Sequence, residues 1–210
     1  MHDGGTTDPI VWVDCEMTGL DLVRDAMVEI AVIVTDSQLN VLGEGLQVVI
    51  RPPAEALEQM IPYVRTMHEE SGLLAELPNG VDLAEAERQV LTYVRAHVPA
   101  EKKAPLAGNS VSTDRAFVER DMPTFGESLH YRTIDVSSIK ELARRWFPRV
   151  YFQAPEKTGS HRALGDIFDS IDELRYYRDI LFVPDPGPTS DDARLASERV
   201  RETSPRLDLV

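Results

Sequence analysis

Three short runs rich in Val and Ile, residues 10–16, 26–36 and 40–50, fill most of the first fifty positions and constrain the fold more than any other feature. β-Branched residues in runs of this length predict strands, and DSQLN between the second and third predicts a hairpin turn. After RPPAEALEQM, where two prolines close the third strand, the pattern turns helical. DLAEAERQVLTYVRAHV sets Leu83, Ala86, Val90, Leu91 and Val94 on one face behind Asp82. IDVSSIKELARRWF starts at a capping Asp135, and SHRALGDIFDSIDELRYYRDIL carries a stripe of Leu164, Ile167, Phe168, Ile171 and Leu174. APLAGNS reads as a short buried strand, and STDRAFVERDM as a helix capped by Ser112 or Thr113. Hairpin strands followed by strands separated by helices predict an α/β fold, a mixed sheet with helices packed on it.

The 210 residues fit one domain. That domain is expected over 9–183, after a flexible stretch at 1–8. Beyond Val183 the chain has four prolines, mixed charge and few large apolar residues, which predicts a disordered tail over 184–210. Within it, 191–201 has the composition of a surface helix. A net charge of −14 argues against a protein that coats long nucleic acid, because sequence-independent affinity for phosphates comes from Lys and Arg. It leaves open a small anionic substrate recruited through bound cations. No apolar run approaches the roughly 20 residues of a membrane span, so no membrane partner is expected. The start lacks a basic stretch followed by an apolar one, and the single cysteine, Cys15, excludes an internal disulfide framework. A cytoplasmic location is the expectation.

The first strand ends unusually. In IVWVDCEMTGL, Asp14 and Glu16 are two apart, so they share one face of the strand while Cys15 turns to the other. Like charges on one face repel, and burying either without a partner is costly, so a cation is expected between them. Asp-x-Glu alone arises about once in a few hundred residues. Two further stretches add to it: GNSVSTDRAFV puts Asp114 near the start of a helix after a buried strand, and HRALGDI puts His161 and Asp166 at the start of the last long helix. Each has an ordinary alternative. Asp114 could simply favour a helix N-terminus, and Asp166 could pair with Arg162 four residues before it. Carboxylate oxygens suit Mg²⁺ or Mn²⁺, whereas one cysteine and scattered histidines give no zinc spacing.

DCEMTGL, GNSVSTDR, HYRTIDVSSIKELARRW and HRALGDI together resemble the oligoribonucleases, members of the DEDD exonuclease superfamily in its His-containing branch. The resemblance covers about residues 9–183. It implies a ribonuclease-H-like fold, an antiparallel three-strand meander extended by parallel strands, with helices on both faces. It implies a metal-dependent 3′-to-5′ exoribonuclease that uses two divalent cations, Mg²⁺ or Mn²⁺, on both sides of an in-line displacement. Asp14 would bridge the ions, Glu16 and Asp166 complete the nucleophile side, and Asp114 support the second ion directly or through water. His161 would be the general base, a task that suits the side chain whose ordinary protonation range spans neutral pH.

By the same resemblance the substrate is very short RNA, especially 5′-phosphorylated dinucleotides, cut to nucleoside 5′-monophosphates. Leu20 and Tyr63 would flank the bases, and Tyr131 would come from a neighbouring subunit, which implies a homodimer. His68, Ser110, Arg132 and Ser137 would gather round the 5′-phosphate, where the Arg132 guanidinium can make two parallel bonds. The family commonly has Trp at the place of Tyr63, so weaker stacking on the base is expected there. The alternative is a general 3′-to-5′ exonuclease of the same superfamily acting on longer RNA or DNA ends. It would share the carboxylates and the histidine.

Overall fold

The computed structural model describes residues 8–157 and 161–203. Five strands form one sheet: β1 (Ile10–Met17), β2 (Met27–Thr35), β3 (Val41–Val49), β4 (Pro105–Gly108) and β5 (His130–Asp135), in the order β3-β2-β1-β4-β5. The first three are antiparallel neighbours, while β4 runs parallel to β1 and β5 parallel to β4. This is the mixed sheet the sequence predicts. Among the described residues ten α-helices accompany it: α1 (Ala54–Gln59), α2 (Pro62–Glu70), α3 (Leu73–Glu76), α4 (Leu83–His97), α5 (Ser112–Asp121), α6 (Pro123–Ser128), α7 (Val136–Trp146), α8 (Pro148–Tyr151), α9 (Ala163–Leu181) and α10 (Ser190–Thr203).

Side-chain alternation divides β1 between two cores. Val11, Val13, Cys15 and Met17 join a cluster with Val90, Val94, Phe117 and Phe125, from α4, α5 and α6. Ile10 and Trp12 join the opposite cluster with Val136, Ala143, Ile167, Ile171 and Tyr177, from α7 and α9. Trp12 is fully buried and donates its indole N–H to Thr35 Oγ1 at 3.0 Å, so its one polar atom is satisfied. Strand β2, covered on both faces and both edges, is buried along its whole length.

Helix α4 begins at Asp82, whose carboxylate accepts from Glu85 N, and α7 begins at Asp135, which accepts from Ser137 N. Both agree with the sequence reading. Helix α5 differs: its N-cap is Val111, without a side-chain cap, and Ser112 already lies inside the helix. The stripe of α9 also differs. Phe168 is exposed, and Ala163, Ser170 and Tyr177 are buried instead. The expected disordered tail gives way, over Ser190–Thr203, to helix α10, none of whose residues is buried. The expectation for 1–8 lies outside the described residues except at Asp8, which pairs with Lys102 at 2.9 Å. Residues 204–210 likewise lie outside.

Candidate active site

The parallel strands β1, β4 and β5 end at one side of the sheet, where ligands of open α/β sheets bind. β1 is the central strand, so Asp14 and Glu16 stand at the end of a strand and not at the edge of the sheet. Both point to the α9 face, and Asp166, in the first turn of α9, meets them. One carboxylate oxygen from each of Asp14, Glu16 and Asp166 lies within 4.8 Å of the others. Asp114, in the first turn of α5, accepts from the Cys15 backbone N–H at 3.0 Å. That bond fixes it against β1 without bringing it into the three-carboxylate cluster. Gly108 is needed for this arrangement, since a Cβ there would lie 2.8 Å from the Val13 carbonyl oxygen of the adjacent strand.

The electrostatics match the crowding. Burial, then Asp114, Glu16 and Asp166, hold the Asp14 carboxyl well above the usual carboxylate range, with Lys157 opposing. Burial, then Asp166, Glu29 and Asp114, push Glu16 up to about 8. Burial raises Asp114 to about 6 against its bond from Cys15 N–H, and burial also raises Asp166 while His161 pulls it down. Burial likewise raises the Cys15 thiol, leaving no nucleophile there. Such a cluster favours either protonation or a bound cation.

An orphaned atom stands beside it. His68 is wholly buried in α2 and donates Nε2–H to the Met17 carbonyl at 2.9 Å. Its Nδ1 has no hydrogen-bond partner and faces Glu16 Oε2 at 3.9 Å. The donor set is hard carboxylate oxygen, with an unsatisfied buried nitrogen next to it. These residues fit a divalent cation.

His161 is exposed on the loop before α9, with φ of 48°, and it shares a cleft of about 300 Å³ with Tyr63 and Met67 of α2. Tyr63 and Leu20 are both exposed, at 75% and 73%. The Leu20 loop is held by Asp25, which accepts from Thr18 Oγ1 at 3.1 Å and from Asp21 N at 2.9 Å, and by Arg120 donating to the Leu22 carbonyl. The two serines meet: Ser110 Oγ and Ser137 Oγ are 3.1 Å apart, and the Ser110 N–H donates to Ser137 Oγ at 2.8 Å. Asn109 accepts from Ser137 Oγ at 3.0 Å and completes the pair. The other two residues expected at a 5′-phosphate make different contacts here. His68 is bonded to the Met17 carbonyl, and the Arg132 guanidinium lies over the Tyr131 ring, 5.4 Å from its centre.

Sequence reasoning missed several participants. Lys140, Arg145 and Lys157 line a cleft of about 910 Å³ with Ser110, Ser137 and Glu141, the last of which pairs with Arg145. Buried Glu173 gathers Lys140 at 3.0 Å and Lys157 at 3.9 Å. Arg162 does not pair with Asp166. Its guanidinium is occupied by Glu29, at 2.7 Å, and Glu76, at 2.8 Å. Glu29 did carry a signal, because a lone carboxylate inside MVEIAVIVT must find a cationic partner or hydrogen-bond donors.

The RNase_T family model, described as an exonuclease, matches residues 11–174. An oligoribonuclease of Streptomyces coelicolor is 65% identical over 187 residues, 89% of this chain and 94% of its own length. One from Leifsonia xyli is 58% identical over 197 residues, covering 94% and 95%. Among solved structures, an exonuclease I from Methylocaldum szegediense superposes with a TM-score of 0.64 at 19% identity over 83% of this chain. A zinc-bound complex of E. coli exonuclease I with single-stranded DNA gives 0.64 at 14% identity over the same share. This chain spans 41% of each of those two chains, so the likeness is one of fold, the ribonuclease-H-like fold.

Proposed function

The chain belongs to the oligoribonuclease family of RNase_T exonucleases, and from that premise we propose that it hydrolyses very short RNA, above all 5′-phosphorylated dinucleotides, from the 3′ end. The observation that carries this reading is the convergence of Asp14, Glu16 and Asp166 within 4.8 Å at the end of the central strand. These three, with Asp114 beside them, would hold two divalent cations, Mg²⁺ or Mn²⁺. Such ions, when bound, offset the charge that develops on the attacked phosphate.

The chain's own groups supply the rest. His161 takes the proton of the attacking water. The new bond is phosphorus to water oxygen, and the bond that breaks runs from phosphorus to the 3′ oxygen of the preceding nucleoside. The terminal residue leaves as a nucleoside 5′-monophosphate, and the remainder ends in a 3′-hydroxyl. Tyr63, beside His161 in one cleft, and Leu20 on its pinned loop flank the bases. Ser110 and Ser137 offer paired hydroxyls to the 5′-phosphate, with Arg132 and His68 as the further contacts the family implies.

We also propose a homodimer that brings Tyr131 to the neighbouring subunit's site. Tyr131, Leu142, Trp146, Phe147 and Phe152 are all exposed, an apolar series along β5, α7 and the turn after α8. No helix among the described residues is long and apolar enough to cross a membrane. A reducing cytoplasm suits the single buried thiol.

The test is a time course on 5′-labelled RNAs of two, three, five and seven nucleotides with Mg²⁺ or Mn²⁺, and with EDTA as control. Fast loss of the dinucleotide and slow loss of the rest is the expected result. Equal or faster cutting of the heptamer would keep the metal chemistry and discard the short-substrate reading in favour of a general 3′ exonuclease.

A further inference from the structure

Glu29 is the least accessible carboxylate near the site, fully buried on β2 and directly across from Glu16 in the β1–β2 register. Its Oε1 accepts from Arg162 Nη2 at 2.7 Å, from Arg162 Nε at 3.0 Å and from Gln47 Nε2 at 3.0 Å. Its Oε2 accepts the backbone N–H of Ala163 at 2.9 Å and faces Arg162 Nε at 3.4 Å. The other edge of the same guanidinium reaches α3, where Nη1 and Nη2 donate to the two Glu76 oxygens at 2.8 and 3.0 Å. One side chain therefore ties together three separate segments. It does so with a planar fork, which fixes direction as well as charge.

The tie lies at a defined point. Arg162 is the N-cap residue of α9 and makes no side-chain cap of its own, so Glu29, from another element, caps the first helical amide at Ala163. The residue just before the clamp is His161, whose φ of 48° lies in the left-handed region, which is uncommon outside Gly although His is among the residues found there more often. A backbone in that state persists only where its surroundings determine it. Two residues beyond the imidazole-bearing Cα the chain is anchored to the strand beside β1, at the rung that carries Glu16. A buried ion pair is a weak device for stability when an apolar pair could fill the same space, whereas the paired bonds of a guanidinium to a carboxylate add geometric specificity.

We propose that the Glu29–Arg162–Glu76 clamp positions His161 over the carboxylate cluster, so that Arg162 and Glu29 are positioning residues acting through the histidine. This inference rests on the reading of His161 as the proton acceptor, and the experiment separates the two. The variants are Arg162→Lys, the charge-balanced pair Arg162→Gln with Glu29→Gln, His161→Ala, and the pair combined with His161→Ala. Each is measured for kcat and KM on a 5′-phosphorylated RNA dinucleotide and for Mn²⁺ affinity by electron paramagnetic resonance. Arg162→Lys keeps a cation opposite Glu29 and so preserves folding if the pair does not.

The pair is expected to lower kcat about tenfold or more, with KM and Mn²⁺ affinity held within about twofold. Added to His161→Ala it should cause almost no further loss, because residues acting through one another are not additive. Arg162→Lys should fall between wild type and the pair. A slow His161→Ala alongside a pair or Arg162→Lys of unchanged kcat overturns the inference alone, as does a full extra loss in the His161→Ala background. Loss of Mn²⁺ affinity in proportion to kcat overturns it too, since the clamp would then serve Glu16. A His161→Ala variant with wild-type kcat removes the reading beneath and takes the inference with it.

Discussion

Glu16→Gln should make the metal-free protein more stable, and the gain should follow pH. In the folded chain the Glu16 carboxyl rises from 4.5 to about 8, first because it is buried and then because Asp166, Glu29 and Asp114 crowd it. A folded pKa above the unfolded one contributes stability that is complete below 4.5 and is lost as pH climbs through 8. At about 1.4 kcal/mol for each pH unit crossed, ionising this group should cost the fold ~4 kcal/mol by pH 8. Glutamine keeps the shape and cannot ionise, so it avoids that loss. For a chain of this size 1 kcal/mol moves Tm by roughly 2–4 °C, which puts the variant about 8 °C or more above wild type in EDTA at pH 8. The difference should shrink towards zero near pH 4.5. With Mn²⁺ at a hundred times its dissociation constant, wild type gains about 2.7 kcal/mol, while the variant, short of a ligand, gains less and the gap narrows. Thermal melts from pH 4.5 to 8.5, with and without Mn²⁺, measure all of this. Equal Tm values in EDTA at pH 8, or a gap independent of pH, would refute the reasoning.

Asp14→Ala should abolish turnover of a dinucleotide while leaving circular dichroism and cooperative melting intact; measurable hydrolysis above the EDTA background would remove Asp14 from the site. Arg132→Ala should slow a 5′-phosphorylated dinucleotide at least about tenfold more than one lacking that phosphate, given the strength of charge-assisted bonds to phosphate; equal slowing counts against its role. Mixing inactive Asp14→Ala and Tyr131→Ala subunits should restore activity towards about a quarter of wild type, since heterodimers contain one intact composite site. No restoration after subunit exchange would return Tyr131 to its own subunit or to no site at all.

Legibility in the sequence followed burial. The first three strands stood out as short runs rich in Val and Ile, α4 because its apolar residues repeat with the helical period, and Asp135 because its carboxylate caps α7 in the ordinary way. β5 was invisible. HYRTID is an edge strand exposed along Tyr131, Arg132 and Thr133, so nothing alternates for a reader to find. Phe168 misled because it continues the helical spacing of Leu164 and Ile171, yet it is exposed while Ser170 and Tyr177 are buried. The carboxylates Asp14 and Glu16 were legible as a pair because strand geometry alone puts them on one face. Pairs far apart in sequence were not. Arg162 and Glu29 are separated by 133 residues, and no local rule joins them.

The charge distribution closes the question raised by the first strand. Three converging carboxylates repel a phosphate as strongly as they repel one another, so a chain of net charge −14 cannot draw an RNA end to this place by its bare side chains. On the proposed reading attraction comes from two sources, linked by Lys157, which lines the serine cleft and also acts on Asp14 and Asp166. One is the patch of Lys140, Arg145 and Lys157 around Ser110 and Ser137, organised by buried Glu173. The other is a cation held by the carboxylates themselves, which reverses the sign of the cluster. The dinucleotide proposed above has one phosphate for each source, a 5′ phosphate for the serines and a scissile one for the carboxylates. On the same reading, the burial that raises Glu16 to about 8 favours a bound cation at the cluster, and that cation is what an incoming phosphate would meet.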